Sequence, residues 1–293
     1  MLPRVDVKNY DFTLGRLAYA SLRRVQFPGF FGEEEIVEND SVLYHREDRV
    51  AIITLNRPER LNAINQGLLD GLIHQLDRAR EDKMAESIIL TGSGKSFCAG
   101  EDLKETSQGK SFERWVKEVD GLQDVQRVIL GLGKPLIAAV QGYAVGGGLE
   151  FALSCDIRIA AHNAHFGFPE TGIGLTVTTA GTKLISQIVG LGKAKELIFT
   201  GEFIDAAEAL EIGLINKAVP EEQLLAEAMA MCSKVNQRSP LALKLSRIAL
   251  DQGLHASFEQ ILELEASHLL TCINSNEQRE RVGRKLDDIR GED

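Results

Sequence analysis

The feature that most constrains this chain is a set of short apolar runs set between segments of helical period. Val50–Leu55, residues 88–90, Leu136–Val140 and Ile157–Ala161 are rich in Val, Ile, Leu and Ala, and each is too brief to be a buried helix. Between the first two, Leu68, Leu69, Leu72, Ile73 and Leu76 form an i, i+4 stripe that Asn65 can cap. Between the next two, Phe112, Trp115, Val116, Val119, Leu122, Val125 and Ile129 repeat the pattern until Pro135 closes the turn. Apolar strands alternating with amphipathic helices predict an α/β domain whose sheet is covered by helices.

From about residue 180 the character changes. Leu184, Ile185, Ile188 and Val189 share one helical face. Asp205 caps a short helix ended by Gly213, and further helices open at Pro220, Pro240 and Ser257. The predicted organisation is an N-terminal extension over 1–40, an α/β core over 41–200, and a helical region over 201–293 involved in oligomerisation. The extension carries Arg4, Lys8, Arg16, Arg23 and Arg24 among the acids Asp6 and Asp11, with Phe12, Leu14, Leu17, Tyr19 and Leu22 as apolar anchors. Those acids argue against an import leader. The expectation is a segment packed on its own fold or on a partner subunit.

With 33 basic and 43 acidic residues among 293, the net charge is −10, which disfavours nucleic acid or an anionic membrane as the main partner. No apolar run approaches the length of a transmembrane span. Four scattered cysteines without a CxxC pair fit a reducing compartment, and the cytoplasm is expected before a mitochondrion or another organelle.

Two stretches suit chemistry at backbone amides. Residues 97–103 follow the second strand; Gly100 permits close approach, and a helix starting near Glu101 would present free N–H groups. Gly146, Gly147 and Gly148 follow the third strand at the head of another helix. Taken singly each is a turn; converging on one oxygen they make an oxyanion hole. Glu150 lies one turn beyond Gly147, and Glu170 follows the poorly solvated Phe166, Gly167, Phe168 and Pro169. Apolar surroundings tune carboxyls for proton transfer. Two such groups facing an oxyanion hole can add or remove water across a carbon–carbon double bond beside a carbonyl.

Other chemistries lack their patterns. Ser154 has no GxSxG context, and Cys98 has no partnered histidine and reads as an inert thiol. His162 and His165 lack a third ligand at a recognisable spacing, so no metal site is expected. Neither a phosphate-binding P-loop nor a strand–GxGxxG–helix unit is present.

The chain resembles the crotonase, or enoyl-CoA hydratase/isomerase, superfamily over roughly residues 45 to 270. The resemblance is carried by Asn56-Arg57-Pro58-Glu59-Arg60-Leu61-Asn62-Ala63, Ser96-Phe97-Cys98-Ala99-Gly100-Glu101-Asp102-Leu103, Gly142-Tyr143-Ala144-Val145-Gly146-Gly147-Gly148-Leu149-Glu150 and Phe166-Gly167-Phe168-Pro169-Glu170. It implies a crotonase-like spiral of β-β-α repeats with a helical C-terminal region, assembled as a homotrimer or a hexamer built as a dimer of trimers. It further implies an acyl-CoA thioester as substrate, coenzyme A being part of that substrate and no separate cofactor being needed.

By resemblance the thioester oxygen meets the amides of Glu101 and Gly147, and Glu150 and Glu170 are the paired acid and base of an enoyl-CoA hydratase. Ala99, Gly100, Asp102, Leu103, Lys104, Tyr143, Gly146 and Thr178 fall at substrate or CoA positions. Lys104, helped by Arg57 or Arg60, would face the nucleotide portion; a solvated surface lysine is the alternative. Tyr143 reads as packing near the pocket. The alternatives are another reaction of the superfamily on acyl-CoA (isomerase, decarboxylase, hydrolase or C–C lyase) and a non-catalytic CoA-binding or interaction protein.

Three departures stand out. Glu101 occupies a position where most relatives have a small residue, so its charge must point away or find a partner. Val177-Thr178-Thr179-Ala180-Gly181 stands where hydratases often have Pro-Gly-Ala-Gly-Gly, which puts threonine beside the acyl group and water. The tail around Arg279, Arg281 and Arg284 lacks the usual glycine and phenylalanine before its final basic pair.

Overall fold

The computed structural model describes residues 40–291. The expectations for the N-terminal extension lie outside the described residues. Strand β1 (Val42–Glu47) and strand β2 (Val50–Leu55) form an antiparallel hairpin whose turn places Asp48 at φ 49°, a left-handed conformation that Asp tolerates. Helix α1 (Gln66–Glu81) follows, with the Asn65 side chain accepting from the Leu68 amide as its spacing predicts. Then come β3 (Ser87–Gly92), the five-residue helix α2 (Leu103–Ser107) and the long helix α3 (Phe112–Gly131). Strands β4 (Leu136–Val140) and β5 (Tyr143–Val145) lead into α4 (Gly147–Ser154), and β6 (Ile157–Ala161) and β7 (His165–Gly167) into a 3-10 turn, Pro169–Ile173.

Beyond these lie α5 (Gly181–Val189), α6 (Leu191–Thr200), β8 (Ile204–Asp205), α7 (Ala206–Glu211) and β9 (Lys217–Val219). The chain closes with α8 (Leu224–Asn236), α9 (Pro240–Gly253), α10 (Phe258–Ile273) and α11 (Asn276–Gly291). The large sheet has the order β1-β2-β3-β4-β6-β9 and is parallel except for the β1–β2 pair. A second sheet runs β5-β7-β8, extended by a parallel bridge between Cys98 and Ala144.

The strands bury alternate residues on opposite faces, as a period of two requires. Ala51, Ile53, Leu55, Leu90, Ala138 and Ala160 join the main core beneath α1, α3 and α4. Val50, Ile52, Ile89, Ile137, Ala139 and Ile159 meet Leu224, Ala228 and Cys232 of α8 on the other face. The core strands are therefore mainly apolar on both faces rather than alternating, with Thr54, Ser87, Thr91 and Arg158 as the polar exceptions, and this pattern marked them in the sequence.

The repeat is visible in how strands of the large sheet continue into the second. After β3 the chain makes the Cys98 bridge before α2; after β4 it makes β5 before α4; after β6 it makes β7 before the turn carrying Glu170. This is the crotonase-like β-β-α spiral with a C-terminal helical region. Strands β5, β7, β8 and β9 have no sequence signature, being two or three residues long and held by neighbours rather than by propensity. The helix expected near Glu101 begins instead at Leu103, because Asp102 is its N-cap, accepting from the Lys104 and Glu105 amides. Region 201–293 is not purely helical: β8 and β9 each return to a sheet.

Candidate active site

Two loops leave the sheet side by side. The Cys98 amide donates to the Tyr143 carbonyl at 2.9 Å, and the Val145 amide to the Cys98 carbonyl at 3.1 Å. Two glycines allow this approach. A Cβ on Gly100, whose φ is +79°, would lie 2.7 Å from the Val145 carbonyl oxygen, and one on Gly148 would overlap the Cys98 carbonyl. Glu101 is flanked by two hydrogen bonds to Ile64: the Ile64 amide donates to the Gly100 carbonyl at 2.7 Å, and the Asp102 amide donates to the Ile64 carbonyl at 3.1 Å. In that parallel bridge the Glu101 amide itself has no role. Gly147 is the first residue of α4, so its N–H has no intrahelical acceptor. Glu101 and Gly147 both line one cavity of about 250 Å³.

Glu150 enters the same cavity from the first turn of α4 and is 1% exposed. Its Oε1 accepts from the amides of Thr178 at 3.1 Å, Thr179, and Gly181 at 3.2 Å. The Thr178 hydroxyl donates to Oε2 at 3.4 Å. Thr178 and Thr179 thus both serve Glu150 through their backbone amides, and Thr178 also through its hydroxyl. Gly181 is the residue that must be small, since a Cβ there would lie 2.7 Å from Glu150 Oε1. Burial pushes the Glu150 carboxyl up to about 7; the amides, led by Thr179, oppose it and the charge of Glu170 adds to it.

Glu170 sits in the 3-10 turn after the buried Phe166 and Phe168. Its Oε1 would lie 2.9 Å from a Cβ on Gly146, which holds φ +56°. Its Oε2 is buried with no protein donor among the described residues, and burial raises its carboxyl above the ordinary range. Glu101, Gly147, Glu150 and Glu170 thus line one enclosure, an arrangement able to polarise a carbonyl and move protons beside it.

The enoyl-CoA hydratase/isomerase family model matches residues 45–286. The chain belongs to this family. It is accordingly a crotonase-superfamily enzyme acting on acyl-CoA thioesters. The family chain is 40% identical over 247 residues to a short-chain-enoyl-CoA hydratase of Clostridium acetobutylicum, covering 84% of this chain and 94% of that protein. It is 37% identical over 243 residues to a crotonyl-CoA hydratase of Syntrophomonas wolfei, covering 82% and 93%. An enoyl-CoA hydratase structure from Bacillus anthracis superimposes with a TM-score of 0.82 at 33% identity, over 85% of this chain and 96% of that one.

Of the crotonase positions expected from sequence, Ala99, Gly100, Glu101, Leu103, Gly146, Gly147, Glu150, Glu170 and Thr178 line the cavity. Asp102, Lys104 and Tyr143 do not. Asp102 is buried behind the wall, where its carboxylate meets Arg57 at 3.0 Å and caps α2. Arg57 is held there and also donates to the Ala63 carbonyl, so it braces the loop and is not free to reach a nucleotide. Lys104 is exposed on α2. Tyr143 packs against the rings of His165 and Phe203, with centroids 5.6 and 6.4 Å away.

The structure adds Ile64, Trp115, Glu118, Val119, Leu122 and Ile173 to the wall. Trp115, Val119 and Leu122 were recognisable only as a core stripe. The signal for Glu118 was its position: i+3 from Trp115 and one residue before Val119, it places a charge on the apolar face of α3.

The partner demanded by Glu101 is Lys110, whose fully buried ammonium contacts Glu101 and lies 2.6 Å from Glu118. Burial raises the Glu101 carboxyl, but bonds with Glu118, Lys110 and the Thr106 hydroxyl outweigh it and hold it below the ordinary range.

Proposed function

We propose that this protein is an enoyl-CoA hydratase, adding water syn across the double bond of a 2-enoyl-CoA to give a 3-hydroxyacyl-CoA, or running the reverse dehydration. The observation that carries this reading is the presence of both Glu150 and Glu170 in the cavity that Glu101 and Gly147 also line.

The thioester oxygen would accept from the amides of Glu101 and Gly147, which stabilise the enolate charge as it develops. Glu150, as carboxylate, takes a proton from water while the water oxygen bonds to Cβ. The π electrons move to Cα, and Glu170, as carboxylic acid, delivers its proton there. Both carboxyls serve one face of the substrate, which makes the addition syn. Proton exchange between the carboxyls and solvent resets the site. A carboxyl near 7 is ionised enough to act as base yet basic enough to accept a proton at neutral pH.

Lys104, outside the cavity wall, is available to the phosphates of CoA. The exposed Leu250 on α9, Leu254 just after it, and Phe258, Leu269 and Ile273 on α10 support self-association, as a homotrimer or hexamer. Among the described residues no helix is long and apolar enough to cross a membrane, and the proposed compartment is the cytoplasm.

The test is hydration of crotonyl-CoA followed by loss of enoyl-thioester absorbance, with product identification. Glu150→Gln and Glu170→Gln should each reduce turnover by at least ~10²-fold. Full activity in either variant removes the mechanism. A double-bond shift without hydration would make the protein an isomerase, and tight CoA binding without turnover a binding protein.

A further inference from the structure

The hydration mechanism leaves the carboxyls of two other cavity-lining residues, Glu101 and Glu118, unused. Glu118 is 4% exposed and lines the α3 wall with Trp115, Val119 and Leu122. Its Oε2 accepts from Lys110, and that ammonium is also committed to Glu101 while lying 4.7 Å from the centroid of the Trp115 ring. The other oxygen, Oε1, is buried and has no hydrogen-bond donor among the described residues. A counterion for Lys110 needs only one carboxylate oxygen. A second one, shut from water against apolar side chains, is a standing demand for a donor at the cavity wall.

Resting on the acyl-CoA reading of this site, we propose that Glu118 is a polar subsite for the acyl group, selecting acyl chains that carry an uncharged hydrogen-bond donor such as a hydroxyl. The charges around it set the sign of the selection. Glu101, Lys110 and Glu118 supply two carboxyls and one ammonium, so the wall has no spare cation for a carboxylate-ended acyl chain. Burial, followed by the neighbouring Glu101 carboxyl, raises Glu118 to about 7, and either protonation state retains an oxygen able to accept from a hydroxyl. A plain alkyl chain would fill the apolar part of the wall and leave Oε1 as it is.

Binding of saturated ligands tests this without relying on hydration. Titration calorimetry would compare hexanoyl-CoA, its 4-, 5- and 6-hydroxy derivatives, and adipyl-CoA on the full chain. At least one hydroxy derivative should bind about tenfold more tightly than hexanoyl-CoA, and adipyl-CoA more weakly than hexanoyl-CoA. Glu118→Leu, which leaves Lys110 paired one-to-one with Glu101, should abolish the hydroxyl preference; Glu118→Gln, which keeps an acceptor oxygen, should retain most of it.

If none of the hydroxy derivatives gains over hexanoyl-CoA, or if the gain survives in Glu118→Leu, the proposal is overturned. Should Glu118→Leu fail to fold, the wild-type series and Glu118→Gln still decide. Loss of all acyl-CoA binding would instead count against the acyl-CoA reading itself. Selective binding without crotonyl-CoA hydration would leave the subsite intact and refute only the hydratase assignment.

Discussion

Replacing Glu150 by glutamine changes one atom in the most enclosed carboxyl of the site. All three backbone amides that hold the side chain donate to Oε1, and a glutamine oxygen can accept them in place. The replacement therefore removes the ionisation while keeping the packing. Raising a carboxyl from its ordinary 4.5 to about 7 means that folding favours the protonated form. At ~1.36 kcal/mol per pH unit, the native state loses about 3 kcal/mol on this account as the pH rises through 4.5 to 7.

The stabilising contribution of neutral Glu150 is complete below pH 4.5 and gone above 7. Glu150→Gln should consequently match wild type near pH 4.5 and exceed it by up to ~3 kcal/mol at pH 8, while losing hydration activity. Urea unfolding at a series of pH values reads the gap directly. In wild type, kcat/KM for hydration should rise with pH as Glu150 ionises near 7. A gap that does not widen with pH, or a variant less stable throughout, would refute the claim that burial dominates this carboxyl.

Further outcomes follow from the same contacts. Gly148→Ala sets a methyl group into the Cys98 carbonyl and should destabilise the fold by ~3 kcal/mol or more, seen as loss of soluble protein or of its thermal transition. Gly146→Ala combines φ +56° with a Cβ 2.9 Å from Glu170 Oε1, so it should cost about 1–2 kcal/mol in urea unfolding and reduce kcat by displacing Glu170. Lys110→Met leaves Glu101 and Glu118 without their cation and should lower stability by ~3 kcal/mol at pH 8; protonation of Glu118 should restore part of it at pH 6. Lys104→Ala should raise KM several-fold for CoA thioesters with kcat unchanged if this lysine meets CoA phosphates, and leave both unchanged if it is only a solvated side chain.

The core strands were legible because both of their faces are buried, which favours apolar residues at every position of Leu136–Val140 and at all but Thr54 of Val50–Leu55. Caps at Asn65 and Asp205 were legible because a side chain hydrogen-bonding its own first turn is a local event. The second sheet was not. Tyr143–Val145 and His165–Gly167 are three residues each, and they are strands only because they pair with one another and with Cys98 or Ile204–Asp205. Arg57 illustrates the same division: its sequence neighbourhood marks the family, yet its contact with buried Asp102 removes it from the charges available to CoA.

The amino-acid order by itself determined the strand and helix alternation, the glycines where two loops must touch, and two glutamates, one a helical turn beyond Gly147 and the other after the poorly solvated Phe166-Gly167-Phe168-Pro169 stretch. Such features depend on neighbours in the chain or on family resemblance. Only the tertiary structure decided that Lys110, nine residues after Glu101, neutralises the charge beside the first amide, and that Glu118 belongs to a cavity rather than to a solvated helix face. Burial, pairing and the resulting proton affinities are properties of what surrounds a group in space, and residues distant along the chain supply those surroundings.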